Sequence, residues 1–373
     1  MVVRIAFWPL LRVLHRATGK RWAELKLLLR ERLLPAQTRS AKDENPPPPV
    51  LFQMATAYWI SQAIYVAAKL GIADLLADGP QSLVALADAT RSDARALFRL
   101  LRALSSVKVF SQVGNDYFAL SRIAEALRSD VPGSLRATVI TIGEIHYQAC
   151  GELLHSVRSG SPAFDHVFGM SLFDYLQNNA EASAAFNHGM TNLSSLLAYA
   201  VLLAYDFSGI SSLVDVGGGE GELLRRILVV NPEMTGIVFD LPNTVGLANR
   251  VVSDGGRCSY IAGNFLESVP EGADAYLLCG IVHDWDDDRA ITVLRNCRRA
   301  MTKKSRVLVV EMIVPDTNSV SFSKLLDLNM MAMTGGKERT NSEFQALLDA
   351  ADLRMTRVVP TMAPQSIIEA MPK

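Results

Sequence analysis

The sequence predicts an α/β protein in which a helical N-terminal domain precedes an open, mostly parallel sheet with helices on both faces. Three observations carry this prediction. After Ser212, apolar strand patterns alternate with helical ones; before Tyr205 the pattern is mostly helical; and Pro46 to Pro49 interrupt the chain behind a basic leader. At 373 residues the chain exceeds the usual single domain. The expected division is residues 1–49 as extension and proline-rich linker, 50–205 as helical domain and 206–373 as sheet domain.

In chain order, residues 1–42 form a basic tract whose acids are Glu24 and Glu31, with Trp22, Leu25, Leu29 and Leu33 at helical spacing. A solvated helix, a subunit-packing arm, a leader and a peripheral membrane-surface helix all fit it; the four prolines then favour an extended spacer. Ser82 to Ala87 and Ala94 to Leu101 predict a helix pair. Val107 to Phe110 and Tyr117 to Leu120, joined across Gly114-Asn115-Asp116, predict a hairpin. Helix, helix and hairpin in that order make a winged-helix unit. Arg91, Arg95, Arg99 and Arg102 would be its DNA-reading candidates, but their one-turn spacing also makes an ordinary solvated face, and that plainer reading is preferred. Strands are expected near 213–216, 235–240, 258–263, 274–280 and 306–313. Two further runs, near 355–360 and 365–371, are close enough for a hairpin, which would make the last strand antiparallel.

Composition narrows the partners. A hydrophobic share of 49% and a net charge of −1 describe a globular chain with ample core and no global basicity for nucleic acid. Cys150, Cys258, Cys279 and Cys297 contain no CxxC pair, so neither a zinc site nor a disulfide framework is signalled, and a reducing, cytoplasmic compartment is expected. The longest apolar stretch, Leu193 to Ala204, carries serines and is too short to span a bilayer.

The chemistry lies at strand ends, where open α/β sheets bind ligands. Leu213-Val214-Asp215-Val216 runs into Gly217-Gly218-Gly219-Glu220-Gly221-Glu222, and Asp240 closes the next strand. Gly217 and Gly219 let a ligand lie against bare backbone, while Asp240, beside Leu241, can accept both hydroxyls of a ribose. Glu222 stands where a dinucleotide fingerprint wants its third glycine. That argues against a pyrophosphate and for an adenosine ligand without phosphate. S-adenosylmethionine fits; NAD-type binding and a plain tight turn are the alternatives. Asn264 and Phe265 follow the third strand and can edge and stack an adenine. His283 follows the fourth, where a neutral imidazole can take a proton from a weakly acidic hydroxyl; its structural alternative is a helix-start residue packed beside Trp285. Glu311 closes the fifth strand, where a carboxylate is costly without a partner, and can hold the imidazole's other N–H. Glu338 can supply a second carboxylate or pair with Lys337 or Arg339. Asp286, Asp287 and Asp288 diverge around a helix and read as a solvated first turn, so no metal is expected.

Val214-Asp215-Val216-Gly217-Gly218-Gly219, His283-Asp284-Trp285 and Gly335-Gly336-Lys337-Glu338-Arg339-Thr340, in this order and spacing, resemble one family. It is that of the S-adenosylmethionine-dependent O-methyltransferases typified by caffeic acid, acetylserotonin and polyketide O-methyltransferases. The likeness spans roughly residues 51–373, and Phe186-Asn187-His188-Gly189-Met190 resembles that family's helix over the cofactor. It implies a C-terminal Rossmann-like methyltransferase sheet, antiparallel last strand included, behind a winged-helix domain that serves homodimerisation and binds no nucleic acid. By the same resemblance Gly217 and Asp240 hold the cofactor, Asn264 and Phe265 lie at its adenine, and His283 is the base between Glu311 and Glu338. Met190 and Ser194 fall near methyl donor and acceptor, with Phe186 and Trp285 on the acceptor side. Two departures stand out: Asn264 replaces the common acid, and Cys279 stands where plant members carry a cofactor-contacting lysine. The basic leader lies outside the usual pattern, though some bacterial carotenoid O-methyltransferases resemble this chain in having one. The implied reaction is methyl transfer to a phenolic or enolic hydroxyl of an aromatic, polyketide-like or isoprenoid small molecule. A cofactor-assisted hydroxylase or decarboxylase on the same fold, and a non-catalytic cofactor-binding regulator, are the alternatives. His146, Tyr147, Phe164, Phe168, Met170, Phe173 and Phe186 read either as an aromatic acceptor pocket or as ordinary core.

Overall fold

The structure, a computed structural model, describes residues 48–248 and 256–373. The chain divides into the units Met1–Ala55 and Thr56–Lys373. In the first, α1 (Pro48–Ala55) falls within the described residues, and the basic tract of residues 1–42 lies outside them. No described helix is long and apolar enough to cross a membrane.

Capping side chains set several of the helix starts of the second unit. After α2 (Tyr58–Lys69) and α3 (Ile72–Leu75), β1 (Gln81–Ser82) leads into α4 (Leu83–Thr90), where Ser82 Oγ accepts the Ala85 N–H. Asp93 does the same for α5 (Ala94–Ser106) by accepting the Ala96 N–H. Leu97, Leu101 and Leu104 form the buried stripe of α5, while Arg95, Arg99 and Arg102 stay exposed, as a solvated face requires. The hairpin follows as β2 (Phe110–Val113) and β3 (Tyr117–Leu120). Its first strand begins at Phe110, not at Val107 as expected, because residues 107–109 are spent ending α5. Lys108 turns left-handed at φ 65°, and the Val109 N–H returns to Leu104 O. Residues 81–82, not foreseen as a strand, pair with β3 to give the order β1-β3-β2.

Next, α6 (Arg136–Thr141) passes through a π turn at Ile142–His146 into α7 (Tyr147–Gly151). Then come α8 (Leu153–Ser159), α9 (Ala163–Phe168), α10 (Leu172–Asn178) and α11 (Ala180–Ala204), a 25-residue helix capped by Asn179. Phe164 is fully buried and stacks on Phe168 at 4.3 Å, with Ile145, Leu172 and Met333 around it, so these aromatics are core. Phe186, on α11, packs against the same cluster.

The sheet strands are β4 (Ser212–Val216), β5 (Thr235–Asp240), β6 (Cys258–Ala262), β7 (Ala275–Cys279), β8 (Arg306–Val314), β9 (Arg339–Thr340), β10 (Leu353–Pro360) and β11 (Gln365–Pro372). Their spatial order is β10-β11-β8-β7-β4-β5-β6, with β9 beside β8. From β6 to β8 neighbours run parallel, and β11 pairs antiparallel with both β8 and β10. The chain moves outward from β4 one way through β5 and β6, and the other way through β7 and β8. The β4/β7 boundary is therefore a switch point, open for a ligand beyond the strand ends. The intervening helices are α12 (Glu222–Val230), α13 (Pro242–Ala248), α14 (Asp287–Ala300), α15 (Phe322–Met333) and α16 (Asn341–Ala350). One face of the sheet is covered by α14 and α16 through Val293, Leu294, Phe344 and Leu347; the other by α11 and α12 through Val201, Leu224 and Ile227.

Candidate active site

The glycine-rich turn leaves β4 at Gly217, whose N–H bonds Phe239 O at 2.8 Å. Gly217 has φ 71°, which strains any other residue, and a Cβ there would force Ile281 Cδ1, 2.4 Å away, to shift. Asp240 ends β5 and accepts two backbone N–H groups, from Gly219 at 2.8 Å on Oδ2 and from Leu241 at 2.7 Å on Oδ1. The Thr244 side chain adds a third hydrogen bond, and the lone pair that remains can accept from a ribose hydroxyl. Burial raises the Asp240 carboxyl, against the pull of those two N–H groups. Phe265 turns its ring toward Gly217 and meets Trp285 edge-on at 6.0 Å, so an aromatic face borders the bare backbone. The Asn264 amide, by contrast, is engaged locally: Nδ2 donates to Glu267 Oε1 at 3.1 Å, and Oδ1 accepts the Leu266 N–H. Cys279 ends β7 as a free thiol raised by burial and then by the charges of Asp215 and Glu311. Bare backbone, an anchored carboxylate and an aromatic wall at one end of the sheet fit an adenosine ligand.

His283 sits in a single 3-10 turn, Val282–Asp284, directly beyond β7. Its Nδ1 lies 2.6 Å from Glu338 Oε1, and the Glu338 side chain is fully buried. Glu311 does not hold the imidazole, contrary to the expectation from sequence. Its Oε1 accepts the backbone N–H groups of Ile281, Val282 and His283 at 3.2, 2.6 and 3.1 Å, because β8 ends level with the start of that turn. Glu311 therefore fixes the backbone and Glu338 the ring. The second oxygens of both carboxylates, Glu311 Oε2 and Glu338 Oε2, are buried without a protein partner among the described residues. Burial alone would lower the imidazole. The Glu338 hydrogen bond and the charges of Asp284, Glu311 and Glu338 outweigh it and carry His283 up to about 10. Burial pushes the Glu311 carboxyl to about 7 and Asp284 to about 6.

Several residues of this cluster escaped the sequence argument. Arg339 is completely buried, and its guanidinium donates to Val282 O at 3.1 Å, to Trp285 O at 2.8 Å and to Asp287 Oδ1. It staples the whole His283 turn from behind. In the sequence it stood only as a possible mate for Glu338, and two residues of β9 gave no periodic signal. Asp215 is buried under the glycine turn, raised to about 7 by burial and then by Asp240. Gly336 brings its loop so close that a Cβ would lie 2.0 Å from His283 O. Trp285 stacks on Phe173 at 5.4 Å, and its Nε1 is buried without a partner among the described residues. Of the α11 candidates, Met190 is part-exposed and Ser194 half-buried. His146 bonds Asn329 at 3.1 Å, and burial lowers its imidazole. Asp286 caps α14 by accepting the Arg289 N–H, and Asp287 pairs with Arg339, so the acidic triplet is a helix start.

A family model described as an O-methyltransferase domain matches residues 150–354, and one described as an O-methyltransferase dimerisation domain matches residues 52–130. The chain belongs to the O-methyltransferase family. This O-methyltransferase family member is 42% identical over 326 residues to phenazine O-methyltransferase PhzM of Lysobacter antibioticus, covering 87% of this chain and 96% of that protein. It is 35% identical over 312 residues to phenazine-1-carboxylate N-methyltransferase of Pseudomonas aeruginosa, covering 83% and 92%. Human N-acetylserotonin methyltransferase, solved in complex with S-adenosylmethionine, superposes with a TM-score of 0.82 at 27% identity, over 90% of this chain and 99% of that one. The enzyme is a methyltransferase, and its relatives include both O- and N-methylating ones. The winged-helix unit falls inside the dimerisation match, which supports subunit pairing. Both matches begin beyond residue 42, so a membrane role for the basic tract gains no support from them.

Proposed function

We propose that this methyltransferase acts on a hydroxyl of a small aromatic molecule, with His283 as general base and Glu338 holding its ring. The cofactor is S-adenosylmethionine, which when bound supplies an electrophilic methyl group on a sulfonium. Gly217, Gly219, Asp240 and Leu241 would hold its ribose and backbone-facing side, Phe265 and Asn264 its adenine, and Cys279 and Ser194 would border it. Met190, Phe186 and Trp285 would face the acceptor. Residues 50–205 would form the homodimer and close the acceptor pocket.

The observation that carries the base assignment is the 2.6 Å contact between His283 Nδ1 and the fully buried Glu338. It ties Nδ1 to a carboxylate and leaves Nε2 as the nitrogen that can exchange a proton with an acceptor. A phenol has a pKa near 10, so at neutral pH it arrives protonated and is a weak nucleophile. Raised to about 10, the imidazole is itself protonated at neutral pH. Before it can act, His283 must give up its own proton. The field of Asp284, Glu311 and Glu338 holds that proton, and any cation bound in the site weakens the hold. A ring nitrogen without hydrogen would need no base at all, which is why a built base favours a hydroxyl acceptor over the N-methylation seen among the relatives.

The test uses aminophenols, which offer both nucleophiles on one ring. The enzyme is incubated with S-adenosylmethionine and a panel of aminophenols, and the methylated position is read by NMR. O-methyl products that diminish in His283→Ala are expected. N-methyl products formed equally by wild type and variant would overturn the hydroxyl assignment.

A further inference from the structure

A second charged network, away from His283, joins α11 to the turn that opens α12. Glu222 is the first residue of α12, directly after Gly221. Its Oε1 accepts from Ser195 Oγ at 2.7 Å and from Arg226 Nε at 2.6 Å, and its Oε2 accepts from Arg225 Nη2 at 3.2 Å. The rest of the Arg226 fork donates to Ser195 Oγ and to Tyr199 OH, both at 2.8 Å. Arg225 reaches back to Glu220 O at 2.6 Å, which grips the glycine-rich turn itself. Burial would raise the Glu222 carboxyl, but Ser195 and Arg226 outweigh it and hold it below its usual value, so it stays an anion at a helix N-terminus.

The upstream half of α11 packs on α6, where Thr138 Oγ1 donates to Gly189 O at 3.4 Å, and on the cluster around Phe164, but only the clamp ties it to the glycine-rich turn among the described hydrogen bonds. Apolar anchorage of α11 against the sheet begins at Leu197 and continues through Ala198 and Val201. The segment bearing Phe186, Met190 and Ser194 lies on the other side of the clamp, upstream of that anchorage. In the same segment Asn192, one turn before Ser195, has a buried Nδ2 without a partner among the described residues, a donor available to a ligand. We propose that Glu222 and Arg226 are positioning residues that tie the lie of α11 to the state of the glycine-rich turn, so that cofactor bound at the turn orders the acceptor-side helix. The proposal rests on the cofactor lying against Gly217 and Gly219.

Hydrogen–deuterium exchange on the full chain, with and without saturating S-adenosylhomocysteine, tests it. In wild type the ligand should slow exchange both in 213–222 and in 186–196. Arg226→Lys keeps the charge but cannot fork to three partners. Ser195→Ala removes a single hydroxyl and carries the test should the arginine variant fold poorly. Both variants should bind S-adenosylhomocysteine within about threefold of wild type and keep protection at the turn, yet lose most of the added protection in 186–196. Equal protection of α11 in wild type and both variants would overturn the clamp, since α11 would then be ordered by direct ligand contact. Protection at the turn without any on α11 in wild type would overturn it as well. Binding that protects neither segment would instead refute the cofactor placement beneath it.

Discussion

At the scale of single residues, the site divides its work between two carboxylates, of which the sequence had pointed to Glu311 for the imidazole. Glu338 touches the imidazole, while Glu311 touches only the backbone beneath it. Glu338→Gln should therefore move the NMR titration midpoint of His283 down by at least about one unit, worth about 1.4 kcal/mol, whereas Glu311→Gln should move it less. The reverse order would mean the carboxylates had exchanged roles. The pH dependence of stability has a definite sign. His283 ordinarily titrates at 6.5 and stands at about 10 in the folded protein, so its contribution is complete below pH 6.5 and disappears as pH rises through about 10. Asp284 and Glu311 are raised too, but their contributions are gone by about pH 6 and 7. Thermal midpoints of wild type should fall between pH 6.5 and 10, and those of His283→Asn should fall less. Histidine, glutamates and glycines were visible as chemistry in the sequence. Which carboxylate reached the ring was not, because both lie at strand or loop ends whose relative height depends on β8, β9 and their register.

At the scale of elements, long apolar strands announced themselves and short ones did not. The central strands of the sheet lie where alternating apolar runs placed them, since buried parallel strands leave dense hydrophobic signatures. The two-residue β9 has no periodicity to detect, yet it positions Glu338 and Arg339 beside the end of β8. Arg339 gives this element its own prediction. Arg339→Leu leaves the carbonyls of Val282 and Trp285 without their shared donor, while the exposed Asp287 carboxylate turns to water, and should cost about 2–4 kcal/mol in denaturant unfolding. A loss below about 1 kcal/mol would mean water replaces the guanidinium and the staple is dispensable. The shifted hairpin strand has a comparable origin. A positive φ at Lys108 is a helix-ending device that favours glycine, and a lysine there hides it from sequence inspection.

At the scale of the whole molecule, the sequence motifs for cofactor and base lie tens of residues apart and converge only because open α/β sheets gather strand ends along one edge. That rule makes the site legible in the sequence. The helical half was less so, since aromatic residues at 164 and 168 proved to be core, while Phe173 lies against Trp285. On α2, Tyr58, Trp59 and Ile60 remain 48%, 57% and 43% exposed, an apolar cluster within the dimerisation match. Stable homodimer interfaces bury about 2,000 Å² or more, so a charge placed in that cluster should be costly. Trp59→Glu is expected to sediment as a monomer at micromolar concentration where wild type is a dimer. A dimeric variant would place the interface elsewhere.

The most direct test is single-turnover methyl transfer to a phenolic acceptor, measured against pH for wild type and His283→Ala. At neutral pH the variant should be slower by about 10²–10⁴-fold. It should recover as pH approaches the acceptor's own pKa near 10, because solvent then supplies the phenolate. A variant whose rate matches wild type in height and in pH profile would show that positioning alone drives transfer and that His283 is not the base.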